Sequence, residues 1–159
     1  RPISSHKYQI NDYASYRGML LMTGISPEEG KDNPHIIVSD DGKAAVWAGV
    51  IDDLWSLGKP VGQGGPWKES AVKAGTPSDP YLIAFYDQKS MQLKHDSKET
   101  VTFTVEVDPT GNGDWMEYKE FSVKPEETVK YDFPATFEAR WIRFTTNKNT
   151  NATTWLEYK

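Results

Sequence analysis

The hydrophobic pattern of this chain is that of one strand after another. The clearest segment is residues 100–107, where Val101, Phe103, Val105 and Val107 share one parity and Thr102, Thr104 and Glu106 the other. That is the signature of a strand with one face on a core and one in water. Val129, Tyr131 and Phe133 alternate in the same way until Pro134, and Met91 and Leu93 alternate with Gln92 and Lys94. Residues 81–86, 137–145 and 155–158 read as further strands, with 146–151 a polar loop. Between Trp115 and Val123 the phase slips: Met116 and Tyr118 share one parity, Phe121 and Val123 the other. The slip predicts a bulge near Lys119. Lys124-Pro125-Glu126-Glu127 reads as a type I turn with proline second. About six or seven strands therefore fall in residues 80–159 with frequent turn signals, the pattern of an antiparallel β-sandwich of jelly-roll type.

The opening third is sparser. Met19-Leu20-Leu21-Met22-Thr23, ended by Gly24, suits a strand buried on both faces. Residues 36–38 and 44–51 flank Ser39-Asp40-Asp41-Gly42-Lys43, and Asp-Gly between apolar runs predicts a hairpin with a type I′ turn. One helical turn should follow, capped by Asp52 or Asp53 and stopped by Gly58. Three strands rarely bury enough surface to stand alone, so residues 1–57 must lean on the sandwich, on another copy, or on sequence outside this chain. Residues 58–79 hold five glycines (58, 62, 64, 65, 75) and three prolines (60, 66, 77), with Pro80 next, without periodicity, and read as a Gly/Pro-rich connection. Trp67 within it argues that part of the connection packs on a neighbour.

Composition narrows the chemistry. The chain has 159 residues, 37% hydrophobic and 26% charged, which suits one globular domain or two small ones. Its 18 basic and 23 acidic side chains leave a charge of −5, against a phosphate-binding role; no basic stripe suits nucleic acid. No apolar run approaches the ~20 residues of a membrane helix. Without cysteine there are no disulfides, thiolate zinc sites or thiol nucleophiles. The chain opens on Arg1 with no signal-peptide layout, which fits either a removed leader or, as favoured here, a piece of something longer.

No catalytic set emerges. His6, His35 and His95 lie far apart, with no zinc spacing and no nucleophile elbow. Gly62-Gln63-Gly64-Gly65 lacks the Lys-Ser/Thr of a phosphate loop. Adjacent carboxylates point to opposite faces of an extended chain, so Asp40-Asp41 and Asp52-Asp53 read as a hairpin turn and a helix cap rather than a glycosidase pair. Asp108, Thr110, Asn112 and Asp114 are spaced by two around Gly113. That spacing fits either a structural calcium loop or a hairpin loop of turn formers; no other cofactor or metal is indicated. Asn151-Ala152-Thr153 is a glycosylation sequon. Aromatic rings stack on the apolar faces of sugars while amides and carboxylates take their hydroxyls. Trp115 and the adjacent Asp114, with Tyr118 on the following strand, and Trp67 are the candidate carbohydrate-binding residues; Trp47, Trp141 and Trp155 sit inside strand patterns and read as core.

The run from Ser39 to Trp55, continuing through Gly58-Lys59-Pro60 and Gly64-Gly65-Pro66-Trp67-Lys68, resembles the C-terminal region of large secreted bacterial proteins of the glycoside-hydrolase-like type. In these a last β-propeller blade runs into a C-terminal β-sandwich. Tyr13-Ala14-Ser15-Tyr16-Arg17-Gly18 fits the blade; Ser78-Asp79-Pro80-Tyr81-Leu82 and Arg140-Trp141-Ile142-Arg143-Phe144 fit the sandwich. The resemblance implies a secreted, cell-surface or periplasmic setting, a polysaccharide or oligosaccharide ligand, an upstream part of a larger protein or a partner chain, and a pocket that His6, Tyr16 and Arg17 could face. The expectation is an all-β chain: partial propeller-like strands, then a sandwich, acting as a non-catalytic carbohydrate-associated module that binds glycan or braces a catalytic unit. The alternatives are a glycoside-hydrolase fragment lending residues to an active site, and a protein–protein scaffold subunit.

Overall fold

The computed structural model describes residues 4, 5, 8–30 and 32–159. They form two compact units, 1–59 and 60–159.

In the first unit, β1 (Asp12–Tyr16), β2 (Met19–Ile25), β3 (Ile36–Val38) and β4 (Ala45–Gly49) make one antiparallel sheet in the order β1-β2-β4-β3. A propeller blade whose strands pair consecutively would read 1-2-3-4, so this order lends the blade no support. Tyr13, Met22, Trp47 and Ile36 stand opposite one another across the four strands. On this face Met22, Ile25, Ile36, Ala45 and Trp47 form a small core with Tyr8, Ile10, Leu20, Leu54 and Leu57 packed against it. The other face carries Leu21, Val46, Ala48 and Ile37, half-buried or exposed. Strand β2 is thus covered on one face, not both.

Local details differ from the sequence reading for identifiable reasons. At the β3–β4 hairpin only Gly42 has positive φ, and its N–H donates to Ser39 O at 2.8 Å. The turn is therefore type I closed by a left-handed glycine, not type I′. The I′ geometry lies instead at Arg17 (φ 49) and Gly18 (φ 83) between β1 and β2. The helical turn is a 3₁₀ segment, Ile51–Leu57, in which Asp53 accepts the Val50 N–H at 2.7 Å from inside the turn rather than preceding it. A second 3₁₀ turn spans Pro27–Gly30.

The second unit has eight strands: β5 (Gly62–Val72), β6 (Tyr81–Leu82), β7 (Lys89–His95), β8 (Val101–Asp108), β9 (Met116–Val123), β10 (Thr128–Asp132), β11 (Trp141–Thr146) and β12 (Thr150–Tyr158). They make two four-stranded antiparallel sheets, β10-β7-β12-β5 and β6-β11-β8-β9. Every connection except β8–β9 crosses from one sheet to the other, which is the double Greek key of a jelly roll. Between the sheets Leu93, Leu156, Val101, Phe103, Ile142 and Phe144 are fully buried. The bulge foreseen near Lys119 is present: Val105 faces Lys119 and Glu106 faces Glu117, leaving Tyr118 as the extra residue. The turn after β9 carries Glu126 at φ 62, so it is type II, not type I.

The segment read as a connection contains β5, an edge strand paired with β12 along most of its length. Its glycines serve close approach rather than turning. A Cβ on Gly65 would lie 1.8 Å from Thr154 O, and one on Gly64 would lie 2.1 Å from the Tyr81 hydroxyl. Pro66 is tolerated because β5 is an edge with register shifts against β12.

Candidate functional site

The outward face of the β10-β7-β12-β5 sheet is built by parity. Along β12, Ala152, Thr154, Leu156 and Tyr158 point into the core, so Thr153, Trp155 and Glu157 must point out. Cross-strand register sets three rows. Thr128, Lys94 and Thr153 form the first, Lys130, Gln92 and Trp155 the second, and Asp132, Ser90, Glu157 and Gln63 the third. Lys68 and Glu69 of β5 complete the first two at the edge: Glu69 N–H donates to Thr153 Oγ1 at 2.9 Å, and Lys68 Nζ lies 5.1 Å from the centre of the Trp155 ring.

Trp155 is the one large aromatic ring in these rows, half-buried among amides, hydroxyls and charges. Its indole N–H donates to Gln63 Oε1 at 3.5 Å, and Gln92 Nε2 donates to Glu157 Oε1 at 2.9 Å, fixing the groups around the ring. A depression of about 350 Å³ lies over this area, lined by Lys68, Glu69, Gln92, Lys94, Thr153 and Trp155. It shares Glu69, Lys94 and Thr153 with a neighbouring depression that reaches Asp96 and Asn151. A third depression, lined by Ser90, Asp132 and Glu157 together with the buried Lys89 and Phe133, lies separately beyond the third row. Asp96 accepts from the side-chain and backbone N–H groups of Asn151 and from the Thr150 hydroxyl, which together hold its carboxyl below the usual range. This arrangement presents a flat apolar ring ringed by fixed donors and acceptors. It offers no nucleophile–base pair, and among the described residues no three acidic or histidine side chains are gathered to hold a metal ion.

The candidates named from sequence fall elsewhere. Trp67 points inward, buried, with its ring 6.3 Å from Phe144, so it is core rather than an exposed stacking ring. Trp115 lies just before β9 and packs against the other sheet, half-buried, with the Arg143 guanidinium 4.3 Å over its ring and Arg143 in turn paired through two hydrogen bonds to Glu106. Tyr118 is packed among Tyr131, Phe133 and Phe137; burial and its 2.9 Å bond to the Tyr131 hydroxyl push its phenol up to about 12. Asp114 is exposed and bonded to Asn112. Trp67, Trp115 and Tyr118 therefore form no common platform. Tyr16 and Arg17 sit at the β1–β2 hairpin, the guanidinium 5.3 Å over its neighbour's ring, and His6 lies outside the described residues.

The loop considered for calcium turns its main carboxylate inward. Asp108 is buried and accepts from the N–H groups of Thr110, Gly111 and Gly113 at 3.2, 2.7 and 2.8 Å. Burial alone would raise its pKa, but these amides outweigh it and hold the carboxyl below its usual range. Asp108 thus closes its own loop, as a turn-forming aspartate does.

No protein-family model matches this sequence, and no curated protein matches it. Among solved structures, a carbohydrate-binding module of family 29 aligns over 98% of this chain and 75% of its own, at 11% identity and a TM-score of 0.30. A family 29 module variant complexed with cellulohexaose aligns over 99% and 86%, at 10% identity and TM-score 0.31. A structure described as CBM4 aligns over 98% and 76%, at 12% identity and TM-score 0.27.

Trp155 is the residue that the sequence reading missed. The signal was present: it shares parity with Thr153 and Glu157, both polar, while Thr154 is the only polar residue among the inward positions 152, 154, 156 and 158. Within the first unit, a separate depression is lined by Ile10, Tyr13, Met19, Leu20, Met22 and Leu54, and is almost wholly apolar. Its only polar side-chain groups are the hydroxyls of Tyr13 and Ser15, with no amide or charged group beside them. No helix among the described residues is long and apolar enough to cross a membrane.

Proposed function

We propose that this chain is a non-catalytic glycan-binding module that lays a polysaccharide segment along the outward face of the β10-β7-β12-β5 sheet. The observation that carries the proposal is the Trp155 ring, half-buried in a face otherwise composed of amides, hydroxyls, lysines and carboxylates. A sugar has the same duality, with an apolar C–H face and a hydroxyl rim, so ring and rim are met together. Gln63, Gln92, Thr153 and Glu157 are held to take hydroxyls, and the three rows run along β7 from Lys94 to Ser90, about 13 Å. An extracytoplasmic setting, where polysaccharide is met, belongs to the same proposal.

Affinity electrophoresis of the whole chain against a panel of polysaccharides tests it. At least one glycan should retard the parent, and Trp155→Ala should weaken that retardation about tenfold or more, as loss of a central aromatic anchor does. Trp115→Ala, beside the opposite sheet, should leave it unchanged. Retardation by no glycan, or loss with Trp115→Ala and not with Trp155→Ala, would overturn the assignment.

A further inference from the structure

Charge is not spread evenly along the groove. Lys94 and Lys130 stand on neighbouring strands in adjacent rows, a diagonal pair with backbones about 7–8 Å apart, and Lys68 flanks the same ring from β5. Among the described residues none of the three has a carboxylate within ion-pair distance. Two of the acids nearby are otherwise engaged: Asp96 by Asn151 and Thr150, Glu157 by Gln92. Glu69 is the one carboxylate lining the depression beside Trp155. The opposite end of the groove carries Asp132 and Glu157. A chain of net charge −5 thus gathers three ammonium groups without a carboxylate partner beside the one large ring of these rows.

We infer that the ligand is an acidic glycan whose anionic group, a uronate carboxylate or a sulfate ester, is received by Lys68, Lys94 and Lys130 while its ring stacks on Trp155. This rests on the glycan-binding reading above and adds the charge class of the sugar. Like charges left unpaired at this spacing repel, and an anion between them relieves that repulsion as well as gaining direct attraction. Lysine suits the task, because a compact ammonium on a flexible stem can follow a carboxylate or a sulfate without demanding bidentate geometry.

Matched polymers separate charge from backbone: carboxymethylcellulose against hydroxyethylcellulose, polygalacturonate against its methyl ester, and dextran sulfate against dextran. Affinity electrophoresis of the whole chain should show stronger retardation by the acidic member of at least one pair, and the pair that responds identifies carboxylate or sulfate. Removing one lysine should cost roughly twofold to fivefold, the range of exposed ion pairs, so Lys94→Gln with Lys130→Gln should bring the acidic polymer close to its neutral partner. Raising salt from about 20 mM to about 0.5 M should do the same, and Trp155→Ala should weaken binding to both about tenfold or more. Equal retardation by both members, or preference for the neutral one, would overturn this inference and leave the glycan-binding module standing. Acid-polymer retardation indifferent to Trp155→Ala would show plain ion exchange and overturn it too. No retardation by any polymer would remove the glycan-binding reading itself.

Discussion

Gly65→Ala is the sharpest probe of how this sandwich is closed. The residue has an ordinary strand φ, so alanine meets no backbone strain there; the obstacle is space. Its Cβ would fall 1.8 Å from the carbonyl oxygen of Thr154 on the paired strand, a backbone atom that no rotamer can move. The strands would have to part by more than about 1 Å, which takes an N–H···O contact out of its 2.7–3.2 Å range. Two ladder bonds at about 1 kcal/mol each would be lost or weakened. Trp67, two residues on and buried against the core, would be partly levered out; full truncation of such a ring costs about 3–5 kcal/mol. A net loss of about 2–4 kcal/mol follows, lowering the unfolding temperature of a unit this size by about 10–20 °C. Gly62→Ala is the control. It lies on the same strand, but its Cβ would meet only the Tyr158 ring at 3.9 Å, so it should change stability by less than about 0.5 kcal/mol. Near-UV circular dichroism on heating reads both. A flexible connection would answer differently, with Gly65→Ala neutral or stabilising by about 0.4–1 kcal/mol, and that result would refute the strand.

Two further outcomes follow from the backbone and the loops. Glu126 holds φ 62 at the third position of a type II turn, so Glu126→Gly should stabilise by about 1 kcal/mol, measured by urea midpoint, while Glu126→Val should destabilise. Asp108 has its carboxyl held below the unfolded value of 3.8, so its contribution is present above that pH and is lost as pH falls through the folded value. Urea midpoints taken downward from pH 6 should therefore drop below pH 4 more steeply in the parent than in Asp108→Asn; equal slopes would contradict the role given to its amide contacts.

Much of the fold was legible because burial on one face writes itself into parity. Val101, Phe103, Val105 and Val107 located β8, and the phase slip at Met116, Tyr118, Phe121 and Val123 located the bulge at Tyr118 within one residue. Strand β5 was not legible, because Gly64, Gly65 and Pro66 punctuate a chain locally, and their reason lies in Thr154 and Tyr81, about 89 and 17 residues away. Turn handedness at Glu126 was hidden for a similar cause, since glutamate gives no hint that its φ is positive. The site was half legible. Parity along β12 puts Trp155 outward with Thr153 and Glu157, whereas the loop position of Trp67 suggested exposure for a ring that the β5–β12 pairing turns inward. The lysines were not legible as a group, because Lys68, Lys94 and Lys130 meet only through three separate strand pairings.

The central claim is that Trp155 and the rows beside it receive the sugar. Amide and indole chemical shifts of the ¹⁵N-labelled chain, followed while an oligosaccharide of the best-retarding polymer is added, test it most directly. The account predicts saturable shifts at the Trp155 indole N–H, the Gln63 and Gln92 side chains and the backbone of Lys94 and Thr153. Shifts centred on Trp115, Arg143 and Glu106, with Trp155 unmoved, would contradict it.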